Sequence, residues 1–148
     1  MKKPVMVDII SALLVLLFVY AAVSKLLDYD TFKFQLGRSP YVTNMAGLVA
    51  WALPVGEIVV ALLLILKRTR LLGLYASFFL MLLFTGYIYA ILNFSYSVPC
   101  SCGGVLSKMN WRDHLAFNIV FTIISLVAII LESGIISGNQ EKLKTIAQ

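Results

Sequence analysis

From Leu71 to Ser107 the chain reads LLGLYASFFLMLLFTGYIYAILNFSYSVPCSCGGVLS, without one charged residue. A helix crosses the hydrocarbon core of a bilayer in about 20 apolar residues, with a range of about 17–25. The stretch is therefore too long to continue as a single span. It breaks where Asn93-Phe-Ser-Tyr-Ser-Val-Pro-Cys-Ser-Cys-Gly-Gly104 turns to loop composition. Working outward, three further stretches are free of charge or nearly so. They are Ile9–Ser24, Ser39–Leu66 with Glu57 as its one interruption, and Leu115–Leu131. These patterns predict helices near 5–27, 43–66, 71–93 and 111–132, followed by a tail over 133–148. The expected fold is an all-α integral membrane four-helix bundle in a single domain.

Composition supports the same reading. The chain is 148 residues long, 61% hydrophobic and 13% charged. A soluble domain carries about 45–50% apolar and about 25% charged residues. A soluble globule of this size has too little interior to hide such an apolar excess. Disorder, a coiled coil and nucleic-acid binding are excluded on the same ground, despite a net charge of +5. Helix ends have local causes. Pro4 suits a first helical turn, Pro54 should kink the second span, and Asn110 with Asp113 has the spacing of a capping box. The first apolar run is long and three more spans follow it, which favours a retained span over a cleaved signal peptide.

Basic residues set the expected orientation. With four spans, both termini share a side with the loop between the second and third. That side carries Lys2, Lys3, Lys67, Arg68, Arg70, Lys142 and Lys144; the other carries Lys25, Lys33, Arg38, Lys108 and Arg112. The positive-inside rule then places both termini in the cytoplasm and Cys100 and Cys102 at the outer face. The outer segment Asp28–Ser39 carries Phe32, Phe34 and Leu36 among its charges, a spacing that reads as an interfacial loop rather than a helical stripe.

Few side chains here can do chemistry. Cys100 and Cys102 are the two cysteines and His114 is the one histidine. A Cys-x-Cys disulfide closes a small strained ring, and strain makes a disulfide more reducible. Gly103 and Gly104 would let the backbone tighten around the sulfurs. Exchange chemistry competes with two other readings, ordinary buried cysteines and metal ligation. Cys100, Cys102 and His114 make three ligands and lack a fourth, so no metal is expected. His114 falls in the first turn of the fourth helix, whose free N–H groups and positive dipole end favour a nearby thiolate; it also suits a proton carrier. Asn118 is one turn further on the same face. Competing with both roles is an interfacial histidine that merely meets water.

Glu57 is the one acid well inside a predicted span, about 15 Å from the inner end at about 1.5 Å per residue. An ionisable group at that depth is a functional candidate by default; the plain alternative is a neutral acid bonded to another helix. Lys25 is the obvious cation, but it lies near the outer end of the first span, where it would snorkel to the interface. A simple depth count keeps the two apart unless Pro54 or a long lysine reach closes the gap. Tyr20, Ser24, Trp51 and Tyr87 are further polar candidates.

Taken together, Ser24-Lys25-Leu26, Pro54-x-x-Glu57 and Pro99-Cys-Ser-Cys-Gly-Gly104, with Trp111 and His114 after it, resemble the MauE branch of the DoxX-like membrane proteins over about residues 5–131. The resemblance implies a redox-associated protein of the bacterial inner membrane. Its partners would be a disulfide-containing extracytoplasmic client, such as the small subunit of methylamine dehydrogenase, or a periplasmic thioredoxin-like protein, with the lipid bilayer around it. The plan is also similar to DsbB and vitamin K epoxide reductase, which pass electrons from thiols to quinones. That likeness makes a quinone the candidate cofactor. Unlike those proteins, this chain has no second cysteine pair. Two functions are therefore expected to compete. One is thiol–disulfide exchange through Cys100 and Cys102, with Lys25, Glu57, Gly103, Gly104 and Asn118 in support. The other is a non-enzymatic assembly or maturation factor whose cysteines are structural.

Overall fold

The computed structural model describes residues 2–94 and 110–147. Its elements are α1 (Lys3–Leu27), α2 (Tyr29–Gly37), a 3-10 turn (Thr43–Met45), α3 (Ala46–Ile65), α4 (Arg70–Phe94) and α5 (Trp111–Ile146). Four of these helical segments are long and apolar enough to span a membrane: Lys3–Leu27, Thr43–Ile65, Arg70–Phe94 and Trp111–Ile146. The all-α membrane bundle expected from the charge gaps is the architecture observed.

The spans close into a ring. α1 packs on α3 and α5, and α4 packs on α3 and α5. Within α1 the buried residues are Val7, Ser11, Leu14, Phe18, Ala22 and Lys25, a single stripe at helical spacing. Leu13, Leu16, Val19, Val23 and Leu27 lie outside that stripe and are exposed. Large apolar side chains on the outer surface are what a bilayer tolerates and water does not. The main core gathers Phe18, Val60, Leu64, Leu74, Met81 and Ile129 from all four spans.

Three expectations need correction. Segment 28–39 is not an irregular loop, because Tyr29–Gly37 forms α2. Its inward stripe is the i, i+4 pair Phe32 and Leu36, which packs with Ala46 and Ala50 of α3. Phe34 faces outward and disguised that period. The fourth span does not stop at 132. α5 has 36 residues, about 54 Å of helix, against a hydrocarbon core of about 30 Å. Gly134 and Gly138 do not end it because no proline follows, and Glu141, Lys142, Leu143 and Lys144 favour helix. Asn110 occupies the N-cap of α5 but makes no side-chain cap bond, so the capping box is not formed. Its carbonyl instead accepts from the His114 N–H at 2.9 Å. Pro54 is fully buried inside an α3 that runs on without interruption to Ile65.

The turn between α3 and α4 is tight. Thr69 donates from its hydroxyl to the Leu63 carbonyl at 3.0 Å. Gly73 then sits so close to α3 that a Cβ there would meet the Leu64 nitrogen at 2.9 Å and the Leu63 carbonyl carbon at 3.0 Å. Backbone atoms cannot step aside as a flexible side chain can. Gly73→Ala is expected to lower stability by about 1–3 kcal/mol, the usual cost of overpacking. Gly56→Ala is the control, because its Cβ would meet nothing within 4 Å. Thermal unfolding of both variants in detergent checks the pair: Gly73→Ala melts earlier than the parent and Gly56→Ala does not.

Candidate functional site

Lys25 and Glu57 meet. The Lys25 ammonium lies 2.7 Å from Glu57 Oε1, with the two side chains 4% and 0% exposed. The depth count that separated them placed backbone positions only. Side chains on a helix lean toward its N-terminus, and Lys25 follows that rule. Its ammonium reaches back to the Ala21 carbonyl at 3.4 Å. It points into the bundle instead of snorkelling outward.

Aromatic rings wrap this ammonium. It lies 5.9 Å from the Phe32 ring centroid and 5.8 Å from that of Phe84. A cation within about 6 Å of a ring face gains electrostatic attraction, more so where water is excluded. Glu57 is less well served. Its second carboxylate oxygen, Oε2, is buried with no hydrogen-bond partner among the described residues. An unsatisfied buried acceptor is costly, so this atom is a poised acceptor in an otherwise apolar wall.

His114 and Asn118 face the same space from α5, 6% and 4% exposed. Asn118 donates from Nδ2 to the His114 carbonyl at 2.9 Å, which fixes its amide orientation. Its backbone carbonyl accepts from Thr122 Oγ1 at 2.7 Å. Thr122 in turn lies 3.4 Å from Thr85 of α4, hydroxyl to hydroxyl. Trp111 flanks the histidine with ring centroids 6.2 Å apart. The segment that follows α2 closes over this space as a roof and is pinned to α4. Tyr87 of α4 donates its hydroxyl to Ser39 Oγ at 2.7 Å, just beyond the end of α2.

The result is a cavity of about 290 Å³ between α1, α2, α3, α4 and α5. Lys25, Glu57, His114, Asn118 and Tyr87 all line it, and the rest of the wall is aliphatic, methionine or phenylalanine. Lys25, Glu57, His114 and Asn118 thus line one cavity, although they come from three helices. Trp51 is not part of the wall; it packs on Tyr29 with ring centroids 5.4 Å apart. Sequence reading missed Ser39, Phe32 and Phe84 as parts of the site. The i, i+4 pair Phe32 and Leu36 was the signal that would have found the roof. Cys100, Cys102, Gly103 and Gly104 lie outside the described residues, in segment 95–109 between the end of α4 and the start of α5.

Among known proteins, no curated protein and no solved structure matches this chain. A family model does, that of methylamine utilisation protein MauE, over residues 3–131. The match takes in α1 to α4 and α5 as far as residue 131, and with them the whole cavity, so this chain belongs to the MauE family of membrane proteins.

Proposed function

We propose that this protein supports thiol–disulfide exchange with an extracytoplasmic client through Cys100 and Cys102, coupled to a polar site inside the bundle. The observation that carries the reading is the Lys25–Glu57 pair, buried in the wall of a largely apolar cavity with His114 and Asn118. A buried ion pair is weak as a source of stability. Intramembrane ionisable residues mark functional paths by default. Both cysteines precede His114 by less than 15 residues along the chain, so the groups for electrons and those for protons are neighbours in sequence.

In the oxidising direction, a client thiolate attacks the Cys100–Cys102 disulfide and forms a mixed disulfide with one sulfur. The second client thiolate attacks that bond. The client leaves with a disulfide, and the protein holds two thiols, having taken up two electrons. In the reducing direction the same bonds form and break in reverse order. The excess of basic residues at the termini and in the α3–α4 turn supports an orientation with the cysteine segment at the outer face and both termini in the cytoplasm, and the family supports a bacterial inner membrane.

The chemistry of the cavity suits a quinone ring. Its ammonium can donate to a ring carbonyl, its unpaired carboxylate oxygen can accept from a hydroxyl of the reduced ring, and its walls are aromatic. A bound quinone supplies a two-electron, two-proton acceptor that the chain itself lacks. Lys25 would hold a ring carbonyl through its ammonium, Glu57 Oε2 would hold a proton, and His114 would move protons between the cavity and the outer surface. His114→Gln keeps the size and polarity of the side chain but removes proton transfer. It is expected to slow exchange by about a hundredfold, the lower range for a lost proton carrier, and to flatten the pH profile between about 5 and 8. Rates that keep their parent pH profile would remove His114 from the reaction.

The direct test is trapping. Of the two variants that retain only one of Cys100 and Cys102, the one that keeps the attacking thiol cannot resolve its mixed disulfide. It should accumulate a reductant-sensitive adduct with an extracytoplasmic protein. Failure of both single-cysteine variants to form any adduct, with client maturation intact, would leave the assembly-factor function in its place.

A further inference from the structure

At the opposite end of the bundle lies a second polar site, which the redox reading does not use. Arg70 opens α4, and its Nη1 lies 2.7 Å from Asp8 Oδ1 of α1. The arginine side chain is 10% exposed and the aspartate 52%. Among the described residues, Arg70 Nε is buried with no partner, and so is Ser11 Oγ, one turn deeper on α1. A guanidinium has five N–H donors in a rigid fork, and one carboxylate oxygen at a half-exposed residue leaves that fork underused.

These groups line a groove of about 490 Å³. Its polar end is Asp8, Ser11 and Arg70. Its remaining length runs along Ala12, Leu16 and Val19 of α1 beside Ile65 of α3. From Ser11 to Val19 this apolar track is about 12 Å long. Leu16 and Ile65 are 68% and 60% exposed, so the track opens sideways, where a bilayer places its acyl chains. The surrounding charge is one-sided. The start of α1 and the α3–α4 turn carry Lys2, Lys3, Lys67, Arg68 and Arg70 against Asp8 alone.

We propose that this groove binds an anionic phospholipid, its phosphate held by Arg70 and Ser11 and an acyl chain laid along Ala12, Leu16 and Val19. Arginine meets phosphate through two parallel N–H bonds, which would occupy the unused donors. The Ser11 hydroxyl donates to a second phosphate or ester oxygen. A free phosphate would satisfy only the polar end and leave the apolar track open. The tight turn at Thr69 and Gly73 is what holds Arg70 in this position.

The test titrates phosphatidylglycerol, phosphatidylcholine and inorganic phosphate separately into the purified full-length protein in neutral detergent, reading thermal unfolding. Phosphatidylglycerol should stabilise the protein at concentrations about tenfold lower than phosphatidylcholine, the worth of one charge-assisted hydrogen bond. Asp8→Asn removes the carboxylate that competes for the guanidinium and should tighten phosphatidylglycerol binding. Arg70→Gln should abolish the preference over phosphatidylcholine. Ala12→Phe fills the track without touching the ion pair and should weaken phosphatidylglycerol binding; it decides the matter if Arg70→Gln does not fold. An Asp8→Asn protein that melts earlier and binds phosphatidylglycerol no better would show Arg70 to be structural, and the proposal would fall. Equal response to phosphatidylcholine, or saturation by inorganic phosphate at the same concentration, would overturn it too.

Discussion

Replacing Glu57 with leucine should destabilise the protein by about 3–5 kcal/mol, the usual result of removing one partner from a buried ion pair. The reason is the partner left behind. Lys25, only 4% exposed, would keep its charge with nothing but aromatic faces and the Ala21 carbonyl to replace a carboxylate. Lys25→Met should cost a similar amount, because it strands Glu57 in turn. The double variant Lys25→Met/Glu57→Leu behaves differently. It strands no charge, fills the space with apolar atoms, and should be about as stable as the parent or up to about 4 kcal/mol more stable. It should nevertheless lose coupling between the cysteines and the membrane acceptor. Thermal unfolding and exchange turnover, measured side by side, separate a functional pair from a structural one. A stable double variant that still turns over would make the pair structural only.

The second large effect is at the sulfurs. Cys100→Ser and Cys102→Ser should each reduce client processing to background, because a hydroxyl cannot form the mixed disulfide on which exchange depends. The two losses should not look alike. The variant that keeps the attacking thiol accumulates adduct, whereas the variant that keeps only the resolving thiol accumulates none. The order of attack follows from which variant traps. Immunoblots of non-reducing gels read both outcomes in one experiment.

Much of the fold was legible from where charges are absent. The gaps at Ile9–Ser24 and Leu115–Leu131 found two spans directly, because in lipid a charge inside a helix is expensive. α2 was hidden because its buried face is only Phe32 and Leu36, two residues in nine, with Phe34 between them pointing outward. The run of α5 past 132 was hidden for the opposite reason. Loss of apolar character ends a span, but it does not end a helix. The site was half legible. Lys25, Glu57, His114 and Asn118 stood out individually as polar residues in apolar surroundings. Their convergence did not, since a count of helical rise locates backbone atoms and says nothing of how far a long side chain reaches along its helix. The Arg70–Asp8 pair joins residues that no local pattern links.

The thiol state of Cys100 and Cys102 in intact cells separates exchange chemistry from a structural role for the two cysteines. A membrane-impermeant alkylating reagent is added with and without prior reduction, and labelled cysteine is counted by mass shift. Labelling that appears at both positions only after reduction is the predicted result; it places a reducible disulfide at the outer face. Thiols that stay reduced and unlabelled from outside under either condition would rule out exchange and make these cysteines structural.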